Sequence, residues 1–491
     1  MLGCLTGNSR TDTRRGSSVS TMRCWQLVEN RLPLVTLVAV ASLVVAAASL
    51  RVLVTDQGAG LSPGGKAVWG QPRTQQQQRD HHADWRPAVP YGIAHRGASA
   101  ELPEHTREAY EAAVAEGADF IECDVVLTAD LVPLCRHEPN LEGSTDAAAK
   151  FPHRRTSYLI DGVNVSGIFS VDLTAAEVAT LRAVQPWPFR NQSYNGQFRV
   201  ATLADFLDVA KSAPRPVGIY PETKHPSWTN SLPALRAAAT RLEDILLAAL
   251  HEAGFGAGGP YGSEAWRQRP VFVQSFEASS LRYMAQRTCA PMVLLLGEWE
   301  GWSAPDSGLT LAQLTEDTSL AHIAGWAAAV GPDKETLVTW EQEQGSGGGS
   351  GGGGGNGSGS GRGRYVSSGL VEKFHAHGLQ VHPYTLRPEP RFFLPHLADH
   401  YYRHHHTTSP PTPTSASSSP PSDPGPPPVN ANVSLEYQLL LADVVMADAV
   451  FADHMPSFVS WRQQQQQHGH GRQQQMGWVQ GTKHAGRVRW W

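Results

Sequence analysis

The stretch IAHRGASAELPEHTREAYEAAVAEGADFIECDVVLT, residues 93–128, carries a strand, a helix and a second strand in its pattern. The first strand, expected over 91–96, ends in His95 and Arg96. Ala109, Ala112, Ala113 and Ala115 give an apolar face to a helix expected over 104–116, because residues at that spacing return to one side of the helix. The second strand, expected over 120–127, holds Glu122 and Asp124. Side chains two positions apart on a strand share a face, so both acids point the same way.

Working outward, apolar runs at 216–223, 270–276, 291–297, 327–330, 379–385 and 448–452 complete a set of eight candidate strands. Helical patterns lie between most of them, at 202–212, 232–253, 278–287, 310–326, 368–377 and 435–446. An α/β alternation of this length fits a (β/α)8 TIM barrel better than a doubly wound sheet. In such a barrel the chemistry sits where strands end and the following loops begin.

The chain has 491 residues, with 40 Lys+Arg against 45 Asp+Glu and a formal charge of -5. That balance offers nothing to hold a polyanion, which argues against a nucleic-acid partner. Charged residues are only 17%, and 47 Gly and 35 Pro signal long stretches of filler. Residues 56–84, 341–363, 403–430 and 463–491 are Gly-, Ser-, Pro-, His- or Gln-rich and are expected to be flexible or disordered. The middle two interrupt segments that resume with helix and strand patterns, so they read as loop expansions inside one domain. That domain is expected over 86–460, after a flexible stalk at 51–85 and before a Gln-rich disordered tail at 461–491.

From Leu32 to Leu50 there is no charged residue, and Arg31 and Arg51 bracket the run. That length spans a bilayer's hydrocarbon region. Arg10, Arg14, Arg15, Arg23 and Arg31 outnumber Asp12 and Glu29, which keeps a tail at 1–31 in the cytoplasm and sends the rest across the membrane. Residues 32–50 are thus a transmembrane signal-anchor or, if cut near Ala46–Ser49, a signal peptide. Either way the expected location is the secretory pathway, with the domain lumenal, extracellular or secreted.

The third candidate strand ends in GIYPETK, where Glu222 and Lys224 repeat the two-residue spacing. Three carboxylates converging inside a barrel repel one another and lose hydration unless a cation lies between them. Arg96 and Lys224 are the obvious local cations, so one divalent metal is the economical addition. All-oxygen ligation points to Ca²⁺ or Mg²⁺, with Mn²⁺ as a further option. Arg96 and Lys224 beside a metal form a clamp for phosphate. His95, and His137 in PLCRHEP, add two imidazoles suited to proton transfer near neutral pH. One base and one acid are what phosphodiester cleavage needs. A single His at a strand end is more often structural; the conjunction of these types carries the reading.

With those residues in view, the sequence resembles the glycerophosphodiester phosphodiesterase family, in particular its longer branch of bacterial periplasmic and plant enzymes. The matching stretches are 93–128, RHEPNLEGSTD at 136–146, 162–210, GIYPETKHP at 218–226, FVQSFE at 272–277, VGPDK at 330–334, VHPYTLR at 381–387 and ADAVFADHMP at 447–456. The resemblance implies a (β/α)8 fold with a segment inserted after the second strand, here 138–198. It makes His95 and His137 the acid/base pair, Arg96 and Lys224 phosphate contacts, and Glu122, Asp124 and Glu222 the ligands of the divalent cation. The implied reaction is hydrolysis of small glycerophosphodiesters to glycerol 3-phosphate and an alcohol, in lipid and glycerol metabolism or phosphate scavenging. Glycerol's own 2-hydroxyl would attack phosphorus, and water would then open the cyclic phosphate. Departures from the family pattern are Glu138 for the usual Asp, Asp130-Leu131 for Asp-Gly, and His105 where many members have Asn.

Two other readings stand beside this one. A catalytically silent barrel could serve as a surface-binding module, although the complete set of His, acids and Lys argues against it. A phosphodiesterase of intact membrane lipids would need an exposed apolar rim around the site. Five cysteines are too few for a disulfide scaffold; Cys123 reads as a buried apolar filler, with pairing to Cys135 as the alternative. Sequons at Asn164, Asn191, Asn356 and Asn432 matter only in a lumenal domain. Among the aromatics, Trp187, Phe189, Tyr194, Phe276 and Tyr384 fit core packing or a substrate mouth.

Overall fold

The computed structural model describes residues 86–256, 259–342, 363–398 and 433–475. The segment at 32–50, the stalk at 51–85, the tract at 403–430 and residues 476–491 lie outside the described residues. Among the described residues no helix is long and apolar enough to cross a membrane.

Eight parallel strands form a nearly closed barrel: β1 (Tyr91–Ala94), β2 (Phe120–Leu127), β6 (Gly218–Thr223), β7 (Val273–Ser275), β8 (Met292–Leu296), β9 (Ala329–Pro332), β12 (Gln380–Val381) and β13 (Ala449–Ala452). β13 pairs along all of β1. On its other side it meets the chain after β12, where Phe451 N donates to Pro383 O at 3.1 Å and Leu386 N to Phe451 O at 2.8 Å. All eight strands expected from the sequence are present. The run at 379–385 yields only the two-residue β12, since Pro383 has no N–H to offer a ladder. β2 and β6 are buried at every residue, as strands covered on both faces must be.

Helices α1 (Arg107–Ala115) and α2 (Leu203–Ser212) start at Thr106 and Thr202, whose side chains accept from Ala109 N and Asp205 N. Such caps satisfy amides that a helix start leaves unpaired. The helix expected over 232–253 is two helices, α3 (Pro233–Ala237) and α4 (Leu242–Glu252). Ala239 turns to φ 50°, which ends the first, and Asn230 Oδ1 accepts from Leu242 N to start the second.

Between β2 and β6 lies an excursion with strands β3 (Pro133–Cys135), β4 (Thr156–Ile160) and β5 (Val163–Gly167). β2 outlasts β1, and its last residues pair antiparallel with β3. The excursion has a small core of its own, built on Leu134, Leu141, Ile168, Leu173, Val178 and Leu181. Strands β10 (Val338–Gln342) and β11 (Gly363–Ser367) pair antiparallel on either side of the Gly/Ser run.

Two further sequence expectations are corrected. The last helix, α5 (Met455–Gln475), carries the start of the Gln tract expected to be a disordered tail. Buried Trp461 anchors it, Gln465 Nε2 donates to Gln438 Oε1 at 2.7 Å, and Gln is itself a fair helix former. Cys123 is not an unpaired filler but is bonded to Cys135, with Cα atoms 5.4 Å apart. The antiparallel pairing of β2 with β3 sets Cys135 opposite Val125, which brings the two thiols within reach. Replacing both cysteines by Ala should lower the unfolding free energy by about 2–4 kcal/mol, read from urea curves under non-reducing conditions; unchanged curves would mean that the bond adds nothing.

Candidate active site

The barrel's lower interior is filled by aromatic rings. Tyr220 lies 5.2 Å from Phe272 and 5.0 Å from Phe451 between centroids, and its hydroxyl meets His382 Nδ1 at 2.7 Å. This aromatic floor carries the acids above it. Glu122, Asp124 and Glu222 are all buried, and the β2–β6 register sets Asp124 beside Glu222.

Two cations hold these acids. Lys224 Nζ is 2.8 Å from Glu222 Oε1 and 3.2 Å from Asp124 Oδ1. Arg96 gives its backbone N–H to Glu122 Oε2 at 2.7 Å and its Nη1 to Glu104 Oε2 at 2.9 Å. Its Nε lies 3.5 Å from Asp124 Oδ2 and makes no hydrogen bond although buried. A buried guanidinium donor that faces an acid without bonding it keeps a hydrogen bond for an arriving anion.

Charge balance is incomplete around Glu122. Burial, with the neighbouring Asp124 and Glu222, pushes its carboxyl well above the usual range. Burial likewise lifts Glu222 to about 7, against the pull of Lys224. Asp124, despite its burial, is held well below by Lys224 and His105. His105 Nε2 is 2.8 Å from Asp124 Oδ2 and its Nδ1 is 2.7 Å from the Tyr110 hydroxyl. One atom each from His105, Glu122 and Asp124 lie within 4.8 Å of one another. Two carboxylates and an imidazole, one carboxylate lacking its counter-charge, fit a divalent cation.

The two expected imidazoles stand at the strand ends nearby. His95 follows β1 and its Nδ1 is 2.6 Å from Asp453 Oδ1. Asp453, despite burial, is kept well below the carboxylate range by Arg190 and by the His95 hydrogen bond, so the proton between them belongs to His95 Nδ1. Nε2 is left for the cleft. Burial and then Arg96 push His95 down to about 4, so the ring is neutral at physiological pH. His137 follows β3, and Arg136 N donates to Asp124 O at 2.8 Å, which fixes the turn. His137 Nδ1 is 3.0 Å from Glu138 Oε1. Burial, Arg96 and Lys224 lower its pKa; both imidazoles thus feel Arg96.

Glu138 is tied in turn to His225, whose Nε2 lies 3.3 Å away and whose Nδ1 is 2.6 Å from Asp161 in the β4–β5 turn. Of the non-glycine residues with positive φ, Arg96, His105, Asp161 and His225 cluster here; such backbone persists only where surrounding contacts over-determine it. An aromatic wall stands across the mouth: Phe276 lies 5.9 Å from Trp299, 6.4 Å from Trp302 and 6.0 Å from Tyr384.

The structure thus gathers Arg96, Glu122, Asp124, Glu222 and Lys224 into one cluster, with His95 and His137 at its edge. Glu222 sits on Lys224, while His105 joins Glu122 and Asp124. Glu104, Asp453 and His225 also belong to the site and were not singled out from the sequence. Asp453 stands at a strand's C-terminal end, the one signal that could have marked it.

The model of the glycerophosphoryl diester phosphodiesterase family matches residues 95–406. Glycerophosphodiester phosphodiesterase GDPD6 of Arabidopsis thaliana is 37% identical over 316 residues, covering 63% of this chain and 79% of that protein. A glycerophosphodiester phosphodiesterase of Haemophilus influenzae is 26% identical over 325 residues, covering 61% and 80%. Among solved structures, an Oleispira antarctica phosphodiesterase in complex with the product sn-glycerol-3-phosphate aligns with a TM-score of 0.41 at 16% identity, over 76% of this chain and 96% of that one.

The charge on His225 bears on stability. Against burial, Asp161 and Glu138 raise its pKa from 6.5 to about 9. A raised folded-state value contributes stability that is fully present below about pH 6.5 and is lost as pH rises through 9. His225→Gln should cost on the order of 2 kcal/mol at pH 6, and its urea curve should converge with that of wild type by pH 10. A gap of equal size at both pH values would show that the charge is not the source.

Proposed function

Because the chain belongs to the glycerophosphoryl diester phosphodiesterase family, we propose that it hydrolyses glycerophosphodiesters to glycerol 3-phosphate and an alcohol, with His95 and His137 as the proton-transfer pair. The observation that carries this is the unspent Nε of Arg96, a guanidinium whose charge is felt by two imidazoles whose Nδ1 atoms are tied to carboxylates. Arg96 and Lys224 bind and orient the phosphate. One imidazole Nε2 takes the proton of the glycerol 2-hydroxyl as that oxygen attacks phosphorus, and the other gives a proton to the departing alcohol; water then adds to the cyclic phosphate and breaks its bond to the 2-oxygen, leaving glycerol 3-phosphate. Because the attacking hydroxyl is tethered to the substrate, the step gains a large effective concentration. Glu122 and Asp124, with Glu222 or His105, would hold one divalent cation, Ca²⁺ or Mg²⁺, which when bound supplies positive charge for the phosphoryl oxygens. The Cys123–Cys135 bond supports an oxidising, lumenal or extracellular setting, in keeping with a membrane anchor or signal peptide at 32–50.

A second reading, action on intact membrane lipids, has one observation in its favour. Leu159 and Val163 on the β4–β5 hairpin, 67% and 62% exposed, and Trp299 and Leu309 in the loop after β8, 55% and 37% exposed, offer apolar side chains to the surroundings.

The test is release of glycerol 3-phosphate from glycerophosphocholine by the purified protein, with chelator and with Ca²⁺ or Mg²⁺ restored. Metal-dependent release is expected, and His95→Ala or His137→Ala should each lower kcat between about a hundredfold and ten-thousandfold with the fold intact. Full activity in both variants would overturn the assignment. Release from lipid vesicles alone would favour the second reading, and no turnover of either substrate by folded protein would favour a silent binding module.

A further inference from the structure

Arg190 lies in the excursion between β2 and β6, far in sequence from any strand end of the barrel, and its side chain is buried at 2% exposure. Its guanidinium grips three separate parts of the chain. Nε and Nη2 form a fork on Glu389, at 2.7 and 3.0 Å. Nη2 also donates to Asp453 Oδ2 at 2.6 Å, and Nη1 to the carbonyl of Ser99 at 3.1 Å. Gln185, from the same excursion, donates to the carbonyls of Ser99 and Leu102 at 3.1 and 3.2 Å. The inserted segment is therefore sewn to the loop that follows His95.

Asp453 divides its two oxygens. Oδ1 receives His95 Nδ1, and Oδ2 receives Arg190, with Arg387 Nε at 3.2 Å. A carboxylate held by one oxygen alone swings about its Cβ–Cγ bond. With Oδ2 clamped, Oδ1 has a single position, and the imidazole plane follows it. We propose that Arg190 positions His95 through Asp453, so that the excursion is a working part of the active site and not only a cover. Arg190 touches neither substrate nor reacting atoms; its effect passes through the His95 ring. Lysine cannot take its place, since one ammonium cannot reproduce a fork plus two further contacts.

The proposal rests on His95 as a proton-transfer residue, and the experiment separates the two ideas. The variants are Arg190→Gln, His95→Gln and the double variant, assayed on glycerophosphocholine with the metal present and scaled to folded protein by near-UV circular dichroism. Arg190→Gln is expected to lower kcat about tenfold to a hundredfold with KM changed by less than about threefold, as a misaligned catalytic group does. In the His95→Gln background the same change should have no further effect on residual turnover. Wild-type kcat in Arg190→Gln, or an equal loss in both backgrounds, overturns the positioning role while leaving the assigned reaction intact. Full activity in His95→Gln removes the reading of His95 itself. Should Arg190→Gln not fold, Glu389→Gln, which keeps the shape but frees the guanidinium fork, is expected to lower kcat several-fold in the wild-type background and not in His95→Gln.

Discussion

Glu122, Asp124 and Glu222 sit above a floor of aromatic rings inside a barrel, and keeping three carboxylates there is the constraint on which the rest of the site depends. Each loses hydration on burial, and each raises the cost of ionising the others. Lys224 answers part of this by touching Glu222 and Asp124, and Arg96 answers another part through its backbone N–H and guanidinium. Glu122 remains short of positive charge. That shortfall is what a divalent cation would relieve.

The excursion after β2 supplies the remaining order. It begins at β3, held to β2 by ladder bonds and by the disulfide, and so delivers His137 beside Asp124. Its β4–β5 turn brings Asp161 to His225, which links Glu138 to the loop after β6. Its last part carries Arg190 to Asp453. A segment that looks like decoration of a barrel thereby supplies the carboxylate partner of His137 and grips that of His95.

Much of this is legible in the sequence. Parallel barrel strands are short apolar runs, so all eight could be found, and the alternation of β2 and β6 placed Glu122, Asp124, Glu222 and Lys224 on one face. What escapes is of two kinds. Helix breaks such as that at Ala239 depend on one residue's backbone angle and on a cap from Asn230, neither of which has a period. Arg190, Glu389 and Asp453 are single polar residues separated by up to 263 positions, and only the folded chain shows that they meet. The disulfide was open for a related reason: spacing allowed it, but strand register made it.

The two imidazoles are tethered differently, and the difference bears on their roles. The carboxylate behind His95 is buried and gripped by Arg190 with Arg387 beside it, so it stays ionised and oriented. The carboxylate behind His137 is half exposed and shares its charge with His225. A ring pushed down to about 4 is neutral at physiological pH and has an open Nε2, which is the state a base needs at the start of the proposed reaction. The proton it accepts then rests on a ring whose Nδ1–H already points at a fixed anion, and that anion steadies the imidazolium as it forms. His137, tied to a half-exposed carboxylate that also answers to His225, has no such buried anion behind it.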